Sequence, residues 1–281
     1  MILNSDEKKV IKTLKRKSNI ARQKILKVTT EVEGGHLAGS LSCIDILVGL
    51  YFLVLKHKPD NPDWENRDRF ILSKGHGAPA LYTVLAMSKY FPEEELFTLR
   101  KINSRLQGHP DCKKLPGIEI STGSLGQGFS SAVGMALGYK YDCKKNSQIY
   151  CLLGDGECDE GQVWEAAMFA SNYNLKNITA IIDRNGYQID GSTEDVMKLE
   201  PFILKWESFG WEVEEIDGHD MEEIVDVLEK SRGRRVTIIA NTIKGKGISF
   251  LENNNDYHAK PCCKEDCRRA IDELSKKYEF I

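Results

Sequence analysis

The chain has 281 residues, 41% of them apolar and 29% charged, with a formal net charge of −3. That length and balance suit a soluble globular protein, either one large α/β domain or two small ones. No long block of lysine and arginine stands apart from acidic neighbours, so a nucleic-acid partner has no electrostatic support.

In chain order, residues 5–30 read as a helix with Ile11, Leu14, Ile25 and Leu26 among its apolar positions and its lysines on a solvated face. No apolar core leading to a small-residue cleavage site precedes it. The Gly-rich segment EGGHLAGSLS (33–42) leads into an apolar run, residues 41–55. That run carries Asp45 and falls short of the roughly 20 residues of a membrane span, so it reads as a buried helix. HKPDNPDWENRD (57–68) reads as a loop, RFILS (69–73) as a short strand, and residues 78–90 as a second apolar helix. The loop LQGHPDCKKLPG (106–117) precedes STGSLGQGFSSAVGMALG (121–138), whose small residues predict close backbone packing.

From Gln148 the pattern becomes regular. Apolar runs IYCLLG, ITAIID, WEVEEI and VTIIAN alternate with helices near 161–172, 201–209 and 220–230, and an amphipathic helix begins at Lys264. This alternation predicts an α/β fold, a parallel sheet with helices on both faces, in a single domain over residues 1–281. Ligands of such sheets bind beyond the carboxyl ends of the strands. Polar, Gly-containing segments follow each run there: GDGE, DRNGY, DGHD and TIKGKG. Eight cysteines lack paired spacing, and Cys262, Cys263 and Cys267 cluster without a second metal-ligand pair. The expectation is a cytoplasmic protein with reduced thiols and no membrane partner.

The strongest chemical signal is GDGECDEGQVWEA followed by IIDRNGY. Asp155 ends one strand and Asn185 ends the next, thirty residues later, so one βαβ crossover brings both to one point. A carboxylate and an amide oxygen are hard ligands suited to magnesium, with phosphate oxygens completing the shell. Gly154 and Gly156 let backbone approach a diphosphate, and the following helix offers N–H groups to the anion. A strand, a turn and a helix with a capping Asp is the plainer alternative. Of six histidines, His36, His76, His109 and His258 lie in Gly- or Pro-containing loops, where imidazoles can grip and deprotonate hydroxyls near neutral pH. His57 reads as a surface residue, His219 as a helix cap, and Trp164 as core.

GDG with a later asparagine resembles the thiamine diphosphate motif. The wider resemblance is to transketolase, particularly to members encoded as two chains. It rests on GGHLAGSLS, RDRFILSKGHGAPALY, LQGHP, STGSLGQG, GDGECDEG, DRNGYQIDG, TIKGKG and DYHAKP, in that order. The resemblance implies the diphosphate-binding (PP) domain of that family. It implies that Asp155, Asn185 and the carbonyl of Tyr187 hold magnesium, with calcium or manganese as substitutes. Gly156 and His76 would meet the diphosphate, and Gly123, Ser124 and Leu125 the cofactor near its rings. Ser40, Lys244 and His258 match further cofactor positions. His36, His109 and His258 match sugar-facing histidines, and His76 joins them as a candidate proton carrier. Glu160 matches an acid near a subunit contact, with Glu165 in the same network. GHLAGS lacks the proline some members carry after the histidine.

The resemblance also implies that a cofactor-activating glutamate lies on a pyrimidine-binding domain, which this chain does not match. The expected partner is a separate C-terminal subunit, in an α2β2 assembly acting on sugar phosphates. A 1-deoxyxylulose-5-phosphate synthase subunit is the nearest alternative, although QGHPD and DYHAKP favour transketolase. A nicotinamide dehydrogenase would need a strand leading into GSLGQG. A catalytically silent scaffold is disfavoured by the intact set of metal ligands and histidines.

Overall fold

The computed structural model describes residues 5–142 and 147–278. It opens with helix α1 (Ser5–Glu31), whose buried Ile11, Leu14, Ala21, Ile25 and Val28 recur at helical spacing on one face. Helix α2 (Leu37–Gly49) is buried at all 13 positions and runs into a π-helical turn, Leu50–Val54. Leu37–Val54 is apolar and long enough to cross a membrane, yet 89% of it is buried inside the protein. It is a core helix, as its embedded Asp45 suggested.

Strand β1 (Arg69–Leu72) leads to α3 (Ala78–Met87), which ends before Tyr90 because the chain turns left-handed at Lys89. Next come α4 (Gln127–Tyr141), β2 (Ile149–Gly154), α5 (Gly161–Asn172) and β3 (Ile178–Arg184). A two-residue-per-arm hairpin, β4 (Tyr187–Gln188) and β5 (Gly191–Ser192), opens onto the short α6 (Thr193–Val196). The chain finishes with α7 (Phe202–Ser208), β6 (Glu212–Asp217), α8 (Met221–Lys230), β7 (Arg235–Asn241) and α9 (Lys264–Tyr278).

The main sheet is parallel throughout, in the order β1-β2-β3-β7-β6. Successive side chains of a strand point to opposite faces, and β2 divides accordingly. Tyr150 and Leu152 enter the core shared with α1, α2, α3 and α8, while Ile149, Cys151 and Leu153 enter the core shared with α4, α5 and α7. Both faces are covered, which is why the central runs are apolar without alternation. The second core is aromatic, with Trp206 edge-on to Phe129 and Trp211 at 5.9 and 5.4 Å, and Trp164 stacked on Phe209 at 5.5 Å. Strand β6 is the exception to the apolar rule. It sits at the sheet edge, and its Glu212 and Glu214 pair with Arg234 at 2.6 and 3.2 Å, charges that discourage further strand pairing.

Among the described residues, no three His, Cys, Asp or Glu side chains converge as metal ligands. Of the C-terminal cysteines, Cys262 and Cys267 are buried, and exposed Cys263 accepts the Asp266 N–H at the start of α9.

Candidate active site at the carboxyl ends of the strands

The loops after β2 and β3 are laced together by Asp155. Its Oδ1 accepts the Gly156 N–H at 2.9 Å and its Oδ2 accepts the Gly186 N–H at 2.6 Å. Asn185 is therefore one peptide away from a group bonded to the Asp155 carboxylate. The Asn185 amide is itself oriented. Nδ2 donates to Asp183 Oδ2 at 3.1 Å and Oδ1 accepts the Tyr187 N–H at 3.1 Å. Tyr187 opens the β4 arm of the hairpin, so its main chain lies in the same loop.

Asp155 is buried and makes no ion pair among the described residues. Burial first, and then the neighbouring Asp183 charge, push its carboxyl up to about 7. A divalent cation would correct that unbalanced negative charge, and the donors at hand are hard oxygens. These residues fit a cation that takes its remaining ligands from a bound anion. Gly156 matters for space: a Cβ there would lie 2.9 Å from Gln188 Cβ.

Behind Asp155 lies a buried polar cluster that motif matching passed over. Asp183, the last buried residue of β3, accepts from Lys74 Nζ, from Thr242 Oγ1 and from Ser42 Oγ at 2.6 Å. Lys74 also donates to the Gly39 carbonyl at 2.9 Å. Glu157, equally buried, accepts from Ser73 Oγ, from the Gly126 N–H at 2.7 Å and from the Gly154 N–H at 3.0 Å. It joins SKGHG, GSLGQG and GDGE into one floor. The available signal was a charged residue at the end of each apolar run, since such charges are buried only when paired or bonded.

Above this floor four histidines converge. Ring centroids of His36 lie 5.2 Å from His76, 5.5 Å from His258 and 6.4 Å from His109, and His76 lies 5.9 Å from His258. The STGSLGQG segment packs closely against the loops that carry His76 and His109. A Cβ on Gly75 would lie 2.9 Å from the Gly123 nitrogen, and one on Gly123 would lie 3.3 Å from the His109 ring. Burial, then the charges of Lys244 and His36, hold His258 to about 4. Burial, then His109 and Arg100, hold His36 to about 4. Burial, then Lys74, holds His76 well below the usual imidazole range.

Lys244 reaches the cluster from the loop after β7. Its Nζ lies 2.6 Å from both Asn255 Oδ1 and His258 Nδ1, and burial lowers it to about 8. That loop needs glycine: Gly245 has φ +78, and a Cβ there would fall 2.3 Å from the Leu251 carbonyl.

The remaining candidates are arranged differently. Ser40 Oγ donates back to the His36 carbonyl at 2.7 Å, inside the first turn of α2. Ser124 is exposed next to Gly123, and the Leu125 carbonyl accepts from Gln162 at 2.8 Å. Glu160 occupies the N-cap position of α5 without a capping bond, and both it and Glu165 face solvent. No strand enters GSLGQG, so the nicotinamide fingerprint lacks its context.

Two histidines correct the sequence reading. His57 is half-buried, bonded to the Tyr51 carbonyl at 2.8 Å and stacked on Tyr90 at 5.7 Å, so it is no surface residue. His219 does not cap α8, because Asp220 does, accepting the Glu222 N–H at 2.8 Å.

Comparison with known proteins shows the family. The family described as "Transketolase, thiamine diphosphate binding domain" matches residues 14–280. The chain is 46% identical over 267 residues to the 6-deoxy-6-sulfo-D-fructose transketolase subunit SqwG of Clostridium sp. (strain MSTE9), covering 94% of this chain and 97% of that one. It is 40% identical to an apulose-4-phosphate transketolase subunit of Phocaeicola vulgatus, covering 96% of this chain and 97% of the relative. The crystal structure of transketolase from Campylobacter jejuni superposes with a TM-score of 0.87 at 35% identity over 93% of this chain. This chain spans only 42% of that longer protein.

Proposed function

The chain belongs to the transketolase family, as its thiamine diphosphate binding part, and we propose that it works with a separate pyrimidine-binding chain to move a two-carbon ketol unit from a ketose phosphate to an aldose phosphate. The observation that carries this reading is the meeting of four histidines over the joined Asp155 and Asn185 loops. Support for a divided enzyme comes from relatives named as subunits and matched along 97% of their length. In this reading the assembly is α2β2, cytoplasmic, and part of sugar-phosphate exchange of the pentose phosphate kind.

Asp155, Asn185 and the Tyr187 carbonyl would hold the ion, which we take to be magnesium. Gly156 and His76 would receive the diphosphate, with Ser40, Gly123, Ser124, Leu125, Lys244 and His258 along the rest of the cofactor. When bound, thiamine diphosphate supplies the nucleophilic carbon that amino acid side chains lack. The protein's own part is to bind, orient and move protons. His258 and His76, kept neutral mainly by burial, have a ring nitrogen to accept a hydroxyl proton of the donor sugar. His36 and His109 grip the remaining hydroxyls. Glu160 and Glu165, on the solvent face of this chain, are available to a subunit contact.

The test is reconstitution. The purified chain with thiamine diphosphate, magnesium and sugar phosphates should show no turnover, and addition of a separate pyrimidine-binding chain from the same organism should restore it. Robust turnover by this chain alone would overturn the divided-enzyme reading. Pyruvate consumption by the mixture in place of ketol transfer would move the assignment to a synthase of the deoxyxylulose type.

A pH dependence follows from Lys244. Its ammonium is charged below about 8 and neutral above it, so it attracts an anionic diphosphate only on the acid side. Cofactor affinity of the two-chain enzyme should therefore weaken as pH rises from 7 to 9.5. Titration of bound cofactor over that range checks this, and an affinity unchanged up to pH 9.5 contradicts it.

A further inference from the structure

His219 lies outside the histidine cluster, in the turn between β6 and α8, and both of its ring nitrogens are engaged. Nδ1 is 2.8 Å from Asp45 Oδ2, on α2. Nε2 is 2.8 Å from the Ile243 nitrogen, on the loop after β7. A main-chain N–H can only donate, so Nε2 must be the bare nitrogen. The ring proton is then on Nδ1, facing the carboxylate.

Asp45 is held in turn by Arg22 of α1, whose Nη1 donates at 2.9 Å and whose Nη2 donates to the other oxygen. Burial opposes the Asp45 charge, but Arg22 and His219 keep its carboxyl well below the usual carboxylate range. Arg22 Nε also donates to the Lys246 carbonyl at 3.2 Å. This network grips the loop at Ile243 and at Lys246, on either side of Lys244. Between them the Gly245 N–H is tied to the Ala38 carbonyl of α2 at 3.1 Å. From that fixed backbone the Lys244 side chain reaches Asn255 and His258.

We propose that His219 is a positioning residue, locked by Asp45 and Arg22 into the Nδ1–H tautomer, which sets the main chain at Ile243 so that Lys244 is delivered to the cofactor site. The proposal rests on the reading that Lys244 faces the cofactor. A helix-capping or space-filling histidine would need neither a fixed tautomer nor a buried carboxylate already paired with arginine. A second consequence is that a residue touching no part of the active site governs cofactor affinity through one main-chain hydrogen bond.

Two measurements test it. Nitrogen-15 spectra of the full chain with labelled histidine, without cofactor, should show His219 with a protonated Nδ1 and a bare Nε2, assigned by their loss in His219→Gln. In the two-chain enzyme, His219→Phe removes the acceptor and should raise the thiamine diphosphate Kd about tenfold, the worth of one hydrogen bond to a half-buried N–H. His219→Gln, whose amide oxygen reaches the Nε2 position, should stay within about threefold. Melting temperatures taken alongside separate a weakened site from a weakened fold, and if His219→Phe fails to fold the tautomer and the glutamine variant decide. A protonated Nε2, a His219→Phe enzyme of unchanged affinity, or a glutamine variant with a tenfold loss would each overturn the proposal. Failure of the unaltered enzyme to bind thiamine diphosphate would instead remove the functional reading and leave the tautomer result standing.

Discussion

Asp155→Asn is expected to stabilise the cofactor-free chain while abolishing its response to cofactor and metal. In the free chain, burial and the Asp183 charge raise the Asp155 carboxyl from 3.8 to about 7. The folded state therefore binds a proton that the unfolded chain has released between those values. Stability contributed by this group falls as pH rises from about 4 to about 7 and is level above that. At pH 8 the ionised carboxylate opposes folding by roughly 2–4 kcal/mol. Asparagine has no charge to bury, but its single oxygen replaces only one of the two bonds from Gly156 and Gly186. The net gain should be about 1–2 kcal/mol after that loss. Turnover in the two-chain enzyme should fall roughly a thousandfold, since a cation clamp supplies several kcal/mol. Melting curves from pH 5 to 8.5, with and without thiamine diphosphate and magnesium, measure both effects. A variant that keeps its ligand-induced shift, or an unaltered free chain with no decline between pH 5 and 7, contradicts this account.

The same electrostatics explain what could be read from the residues alone. Strands β2, β3 and β7 were legible because burial on both faces leaves nearly continuous apolar runs, IYCLLG, ITAII and VTIIA, and α1 because one stripe of a long helix must be apolar. The loops after those strands were legible because each apolar run ends in glycine beside a carboxylate, an amide or a lysine, as in GDGE, DRNGY and TIKGKG. Asp183, Lys74 and Glu157 were not, because each is a single charged residue whose partners lie far along the chain: Lys74 and Asp183 are separated by 109 positions. No local period marks such a pair. His219 failed for the same reason, since the DGHD turn shows a capping Asp but not the Asp45 174 positions away. The end of α3 was misjudged because Tyr90 is apolar yet lies beyond the left-handed turn at Lys89.

Lys74→Met tests the other buried charge of the site, and it should destabilise the chain by about 3–5 kcal/mol, the usual result of stranding one member of a buried pair. Lys74 and Asp183 are essentially inaccessible, with side chains 1% and 0% exposed. Burial disfavours both charges, yet Asp183 holds Lys74 above the usual lysine range and Lys74 holds Asp183 below the usual carboxylate range. The pair's stabilisation is thus present above the unfolded carboxylate value of 3.8 and is lost as pH falls through the lower folded value. Without the ammonium, Asp183 would keep Ser42, Thr242 and Asn185 as donors but face Asp155 uncompensated. Adding Asp183→Asn removes the stranded charge, so the double variant should recover a large part of the loss. It should not recover metal-dependent cofactor binding. Asp183 Oδ2 receives the Asn185 amide N–H₂, and that bond turns the opposite oxygen towards the Tyr187 N–H and the shared loop. An asparagine at 183 can turn its amide N–H₂ donor there instead and release the orientation. Urea denaturation of both variants, paired with cofactor titration, separates the two roles of one carboxylate. Equal stability of the single and double variants would refute the stranded-charge argument, and full cofactor affinity in the double variant would refute the orienting one.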